Sequence, residues 1–241
     1  RVYLNQGKSD VAATEAKKAQ GQVKPGRAKS GQAKPGRGRP KRASEALAAD
    51  RQRVIAAARG LFAREGYGGV SMRKIAELAG CSPAALYTLF ASKRALLRHI
   101  WEETFQALGA HLAACAGSAS PEEKLEAVSL GFVDFWLAHA DDYRAIFLIE
   151  DKLQGEGDRY FVETSQALRG FDILRTLIEE DQKAGRLPAR PAADVHNVLF
   201  CMLQGAALNL ITIPEYPWGD AQTVKHQAVR AVLAGLRSDT A

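Results

Sequence analysis

Cysteine is scarce in this 241-residue sequence: Cys81, Cys115 and Cys201 lie far apart, an odd number for a disulfide framework and without the paired spacing of a zinc site. A reducing, cytoplasmic setting is the expectation. The five histidines are dispersed, and His99, His111 and His139 form no His-x-x-x-His pair, so no metal site and no cofactor is expected. No stretch reaches the roughly 18 uninterrupted apolar residues of a membrane span. The best candidate, Asn197 to Ile213, is broken by Gln204, Gly205 and Asn209. An apolar leader is also missing, which argues against secretion. Since no Met precedes Met72, the sequence is expected to be part of a longer translation product. Catalytic signatures are lacking too, with no strand-loop-helix context for a nucleophile or phosphate loop and no His-Glu-x-x-His. The acidic clusters Glu122-Glu123, Asp141-Asp142 and Glu179-Glu180-Asp181 read as helix starts or exposed faces. An enzyme is not expected.

What the chain does have is a polarised charge. The net charge is +6, but residues 1–42 carry +10, residues 43–101 carry +5 and residues 102–241 carry −9. A basic front on an acidic body points to a front that meets a polyanion, nucleic acid ahead of an anionic membrane surface.

Residues 1–42 are rich in Gly, Pro, Lys, Gln and Ala and poor in large apolar side chains, too little to offset chain entropy, so a disordered basic tail over residues 1–43 is expected. A ten-residue unit beginning at Gly21 is nearly repeated from Gly31. The second copy ends in Arg37-Gly38-Arg39-Pro40-Lys41-Arg42, which resembles the core of an AT-hook. That resemblance implies that Arg37 and Arg39 enter a narrow A·T minor groove. A solvated polycation gripping phosphates without sequence preference reads the same residues equally well.

From Ala43 onward apolar residues recur at helical spacing, which predicts an all-α body. A first helix over about Glu45 to Glu65 buries Val54, Ile55, Ala58, Leu61 and Phe62 and stops at Gly66. Ser71 caps a second helix, Met72 to Ala79, ended by Gly80; Ser82 caps a third, Pro83 to Phe90, with Pro83 at its first position; Ser92 caps a long fourth. Two short helices joined by a glycine turn after a longer one form a helix-turn-helix pattern. As a plain packing unit, Ile75, Leu78, Leu86 and Phe90 are core.

The run Val70 to Leu97 is more specific. It places Ile75-Ala76 before Ala79-Gly80, Ser82 before the third helix, Leu86-Tyr87 and Phe90 within it, then Ser92-Lys93 and Leu96-Leu97. In this it resembles the DNA-binding domain of the TetR family of bacterial regulators. The resemblance implies a three-helix DNA-binding domain over residues 44–98 and a helical ligand-sensing and dimerisation domain over residues 99–241. It further implies that Ser71, Arg73, Tyr87 and Lys93 meet phosphates, while Ser82, Pro83, Ala84, Ala85 and Thr88 face the major groove. Ala85 and Leu89 stand where the family commonly has hydrogen-bonding side chains, which leaves base reading to Thr88 and apolar contacts.

The remaining sequence predicts a capping box at Ser120-Pro121-Glu122-Glu123, a helix over Tyr143 to Glu150, one long helix from about Tyr160 to Ala184, a helix from Pro191 to Ile211 and a last one over Ala221 to Leu236. The family resemblance implies a homodimer formed by the last two helices, binding a palindromic operator in double-stranded DNA and released from it by a small-molecule inducer, most often as a repressor. Phe105, Phe132, Trp136, Phe147, Phe171, Cys201 and Gln204 are the candidate ligand-pocket residues, with ordinary core as the competing reading. The rival function is a ligand-independent or architectural protein that coats A·T-rich DNA with its tail.

Overall fold

Three serine caps in succession set the geometry of the N-terminal head. In the computed structural model, which describes residues 41–149, 158–165, 168 and 172–238, helix α1 spans Lys41–Gly69, α2 Met72–Ala79, α3 Pro83–Leu89 and α4 Lys93–Ser118. Ser71 Oγ accepts from the amide of Lys74 at 3.2 Å, Ser82 Oγ from that of Ala85 at 3.1 Å, and Ser92 Oγ from that of Ala95 at 3.0 Å. Each cap satisfies an amide that has no partner within the helix, an effect of about 1 kcal/mol. Two glycines supply the breaks. Gly66 (φ 65°, ψ 175°) interrupts α1 at the predicted stop, and Gly80 (φ 66°) ends α2 while its amide donates to the carbonyls of Ala76 and Glu77.

The buried face of α1 is the predicted one, Val54, Ile55, Ala58, Leu61 and Phe62. On α2 the buried side chains are Met72, Ile75, Ala76 and Ala79, and on α3 Leu86. Leu78 departs from expectation: it is 57% exposed and takes no part in the core that Ile75, Leu86 and Phe90 form. It stands at i+3 from Ile75, but on a helix of only two turns the packed stripe is narrow and Leu78 falls outside it.

The body comprises α5 (Lys124–Ala138), α6 (Ala140–Phe147), α7 (Phe161–Thr164), α8 (Ile173–Lys183), α9 (Ala192–Thr212) and α10 (Ala221–Arg237). Among the described residues there is no strand. Helix α4 packs on α5 and α6 in the body and on α1 in the head, α1 also packs on α6, and α9 lies among α5, α8 and α10. Head and body are thus joined at two places, along α4 and between α1 and α6.

Several sequence expectations need correction. Ser120 does not bond the backbone as a capping box requires: its Oγ donates to Glu123 Oε2 at 2.8 Å, residues 121–123 form a turn, and α5 starts at Lys124. Helix α6 lies three residues earlier than expected, which turns Asp142 into the body rather than toward solvent. The long helix from Tyr160 is not continuous, because Ser165 is extended (φ −64°, ψ 130°). Asp181 is buried as well, held by Arg186 Nε and Nη2 at 2.9 and 2.7 Å. Burying a carboxylate requires such a partner.

Close helix contact at one point depends on glycine. A Cβ on Gly131 of α5 would lie 2.6 Å from Cys115 Sγ and 3.4 Å from His111 Nε2 on α4. Three residues further along α5, the buried Lys225 Nζ of α10 donates to both oxygens of Asp134 at 2.6 and 2.7 Å.

Candidate nucleic-acid interface

Helix α3 turns Leu86 into the head and leaves exposed Pro83, Ala84, Ala85 and Thr88, which with the exposed cap Ser82 are the residues expected at a groove, and also Tyr87, expected at a phosphate. Beside it, Ser71, Arg73, Tyr87 and Lys93 come together around one open depression, completed by Val70, Met72, Ala91 and Ser92. The depression faces the N-terminus of α2, whose first amides and partial positive charge suit an anion. Arg73 and Tyr87 are solvent-exposed at its edge.

Lys93 is engaged more deeply than its sequence position suggested. Its Nζ donates to the carbonyl oxygens of Tyr67 at 2.6 Å and Val70 at 2.7 Å and lies 4.0 Å from the Tyr67 ring centroid. It therefore fastens the start of α4 to the α1–α2 junction while keeping a positive charge on the wall of the depression. Partial burial lowers its pKa from the ordinary lysine value. Lys74 is committed elsewhere, with both Glu65 carboxylate oxygens at 2.6 Å.

The Thr88 hydroxyl donates to the Ala84 carbonyl at 3.0 Å, so its proton is used within α3. Ser82 Oγ is likewise used as a cap. The exposed surface of α3 is consequently dominated by methyl groups and one phenol ring.

In the body, Phe105, Phe132, Trp136 and Phe147 form one aromatic array. Trp136 meets Phe105 at 6.1 Å, Phe132 at 6.2 Å and Phe147 at 5.2 Å between ring centroids, all near perpendicular. Tyr143 adds to it at 5.4 Å from Trp136, and its hydroxyl donates to the Gln204 carbonyl at 3.5 Å. Two buried polar atoms beside the array, Trp136 Nε1 and Gln204 Oε1, have no hydrogen-bond partner. Cys201 is not part of this group: it is exposed on α9, on the helix face opposite the buried Leu199 and Leu203. Phe171, like Arg37 and Arg39, lies outside the described residues.

Sequence reading missed two contacts of α1: Arg59 pairs with Asp142 on α6, a tie between head and body, and within the head Arg51 lies 4.6 Å over the Phe90 ring at the end of α3. The only sequence signal was arginine on a helix whose other face is apolar, which a solvated surface explains equally well.

Comparison with known proteins agrees with this geometry. The family model described as bacterial regulatory proteins, tetR family, matches residues 54–100. Among solved structures, a protein of unknown function from Rhodococcus sp. RHA1 is 25% identical with a TM-score of 0.64, covering 78% of this chain and 96% of that one. The fatty acid degradation regulator FadR from Bacillus halodurans is 19% identical with a TM-score of 0.65, covering 78% of this chain and 96% of its own. FadR from Bacillus subtilis, solved with stearoyl-CoA, is 17% identical with a TM-score of 0.66, covering 76% and 98%. No curated protein sequence matches the chain. The family model thus covers the helix-turn-helix head, residues 54–100, as the DNA-binding unit of bacterial tetR regulators, and the fold of the chain around it is similar to that of solved regulators.

Proposed function

We propose that the chain acts as a dimeric repressor whose two α3 helices enter successive major grooves of a palindromic operator, and that a small molecule bound in the body releases it. The observation that carries this reading is the convergence of Ser71, Arg73, Tyr87 and Lys93 on one depression beside the exposed face of α3. Phosphates seated there fix the register of α3, and Ala84, Ala85 and Thr88 then meet base edges. One two-turn helix makes too few base contacts for useful specificity, whereas two about 34–36 Å apart read a palindrome.

The second copy pairs along α9 and α10. Val198 and Met202 of α9 are 52% and 46% exposed, and Leu208 and Cys201 continue the same unburied stripe. The inducer has a large apolar portion, suited to the array of Phe105, Phe132, Trp136 and Phe147, and carries an acceptor for Trp136 Nε1 and a donor for Gln204 Oε1. Stearoyl-CoA, the ligand in the Bacillus subtilis FadR structure, is a molecule of that apolar character. Arg37 and Arg39 of the tail add A·T preference beside the operator.

Selection of bound duplexes from a random pool at about 150 mM salt, a range where phosphate contacts are already partly screened, tests this. The full chain and a chain lacking residues 1–42 should both recover one palindrome, with flanking A·T enrichment for the full chain alone. Recovery of nothing but A·T richness by the full chain, and of nothing by the shortened one, would give the function to the tail and overturn the operator reading.

A further inference from the structure

Helix α1 starts well before the core of the head requires it. It is uninterrupted from Lys41 to the break at Gly66, yet its buried face begins only at Val54. Ahead of that face, Glu45, Ala46, Leu47, Ala48 and Ala49 are all exposed. Packing therefore does not hold this stretch in a helix. Composition does, because alanine, leucine and glutamate are strong helix formers, and a stretch continuous with a packed helix has no nucleation cost. Arg53 Nη2 adds a surface ion pair to Asp50 Oδ1 at 2.7 Å, one turn away. The first turns of α1 are thus an arm that extends beyond the core.

The arm has a fixed point of departure and a fixed length. Arg51 lies 4.6 Å over the Phe90 ring, and its Nη2 is 3.4 Å from His99 Nε2 on α4. Phe90 is the C-cap residue of α3, so the arm leaves the head beside the end of the recognition helix. Lys41 stands ten residues before Arg51, about 15 Å at a rise of 1.5 Å per residue. In a duplex with a repeat of about 34–36 Å, a major groove and the adjoining minor groove are centred roughly 17 Å apart, half a repeat. The arm matches that distance, and in the sequence only Pro40 separates Arg39 from its free end.

We propose that residues 41–50 are a rigid spacer that carries the basic tail to the minor groove adjoining the major groove entered by α3. The A·T preference of the protein then falls at one fixed distance, about five base pairs, from the pairs that α3 contacts. This inference rests on the operator reading above and adds a register to it. A Gly-rich flexible chain of the same charge reaches many flanking positions at similar cost, whereas a helix of set length restricts where arginines enter a minor groove. Fixed spacing makes the flank part of the recognised sequence, so the arm helps decide which operators are occupied. Glu45 to Ala49 are positioning residues that act through the tail.

Selection of bound duplexes with chains that differ in arm length tests the spacer. The native chain should recover a palindrome flanked by a narrow A·T window. Deleting Ala46 to Ala49 removes about one turn, or about 6 Å, and keeps the tail on nearly the same side of the helix axis; the window should move about two base pairs toward the pairs that α3 contacts. Inserting four alanines after Ala48 should move it away by the same amount. A glycine-serine run of equal length in place of residues 45–49 should spread the window over several positions and leave the palindrome unchanged. Unfolding midpoints should agree among these chains, because the altered residues lie outside the core. A window that ignores arm length, a native window as broad as that of the glycine-serine chain, or a palindrome with no A·T window would each overturn the spacer and leave the operator reading standing. Absence of a palindrome, both from the native chain and from the chain lacking residues 1–42, would overturn the operator reading and the spacer with it.

Discussion

Arg59 of α1 and Asp142 of α6 join head and body through Nε and Oδ1 at 3.1 Å, and Asp142 is only 6% exposed. Arg59 Nη2 also lies 3.5 Å from Glu103 Oε2 on α4. The two partners are not equivalent. Arg59→Ala strands a buried carboxylate and should cost about 3 kcal/mol, the range for breaking a buried pair. Asp142→Asn leaves a guanidinium that still has Glu103 and water, and should cost much less. Urea unfolding of both variants checks the order, and equal costs would mean that burial of Asp142 is not the governing term.

The same carboxylate gives a pH dependence. Burial raises the Asp142 pKa above the ordinary value of 3.8, against the pull of Arg59 and His139 and with the push of Asp141. A group that holds its proton more tightly in the folded state stabilises that state as pH falls. The native chain should therefore gain stability relative to Asp142→Asn as pH is lowered from 7 toward 4, as Asp142 takes up its proton. A constant difference across that range would contradict the raised value.

A second test concerns Gly131, where an added methyl would stand 2.6 Å from Cys115 Sγ. Alanine is favoured over glycine within a helix by about 0.5–1 kcal/mol, while overpacking a tight contact costs about 1–3 kcal/mol. The contact should win in the native background, so Gly131→Ala destabilises. With Cys115→Ala in place the sulfur is gone, and the same substitution should become neutral or stabilising. A double-mutant cycle by thermal unfolding measures the coupling, and its absence would show that α4 and α5 can part without cost.

The parts legible in the sequence were those set by local chemistry. Ser71, Ser82 and Ser92 as caps, Gly66 and Gly80 as breaks, and the buried stripe from Val54 to Phe62 follow from hydrogen-bonding needs and helical period alone. The depression of Ser71, Arg73, Tyr87 and Lys93 was legible because four residues of one short run close on themselves through two turns. What was not legible depends on partners distant in sequence. Asp142 looks like a surface cap until α1 brings Arg59 to it, Ser165 looks helical until Glu102 takes its hydroxyl, and Cys201 differs from its buried neighbours only by its place on the circumference of α9.

Thr88 offers a direct probe of how α3 reads bases. Because its hydroxyl proton is spent on the Ala84 carbonyl, the methyl group is what it presents to a thymine methyl. Thr88→Val keeps that methyl and the side-chain shape, and should leave base preference at the contacted pair nearly intact. Thr88→Ser keeps the hydroxyl and loses the methyl, and should relax that preference by about 1 kcal/mol, the lower end for one base contact. The opposite order in duplex selection would mean that the hydroxyl turns outward on binding and accepts from a base.

Helix α9 combines a long apolar sequence with an exposed apolar stripe. It is the one helix among the described residues long and apolar enough to cross a bilayer, with a mean hydropathy of 1.3, yet it packs on α5, α8 and α10 through Val195, Leu199, Leu203, Ala207 and Ile211. Its outer stripe at Val198, Met202 and Leu208 is exposed, and it is where the proposed second copy would pack. Met202→Glu places a charge in the middle of that stripe without touching the core. Sedimentation should then show monomers, and affinity for a palindromic duplex should fall far more than affinity for a single half-site, because two linked heads act at a high effective concentration. Unfolding of the variant monomer should remain cooperative, since the substituted side chain is solvent-exposed in the single chain. A dimer that survives Met202→Glu would place the seam elsewhere, and loss of binding to lipid vesicles with the dimer intact would assign the stripe to a bilayer surface instead.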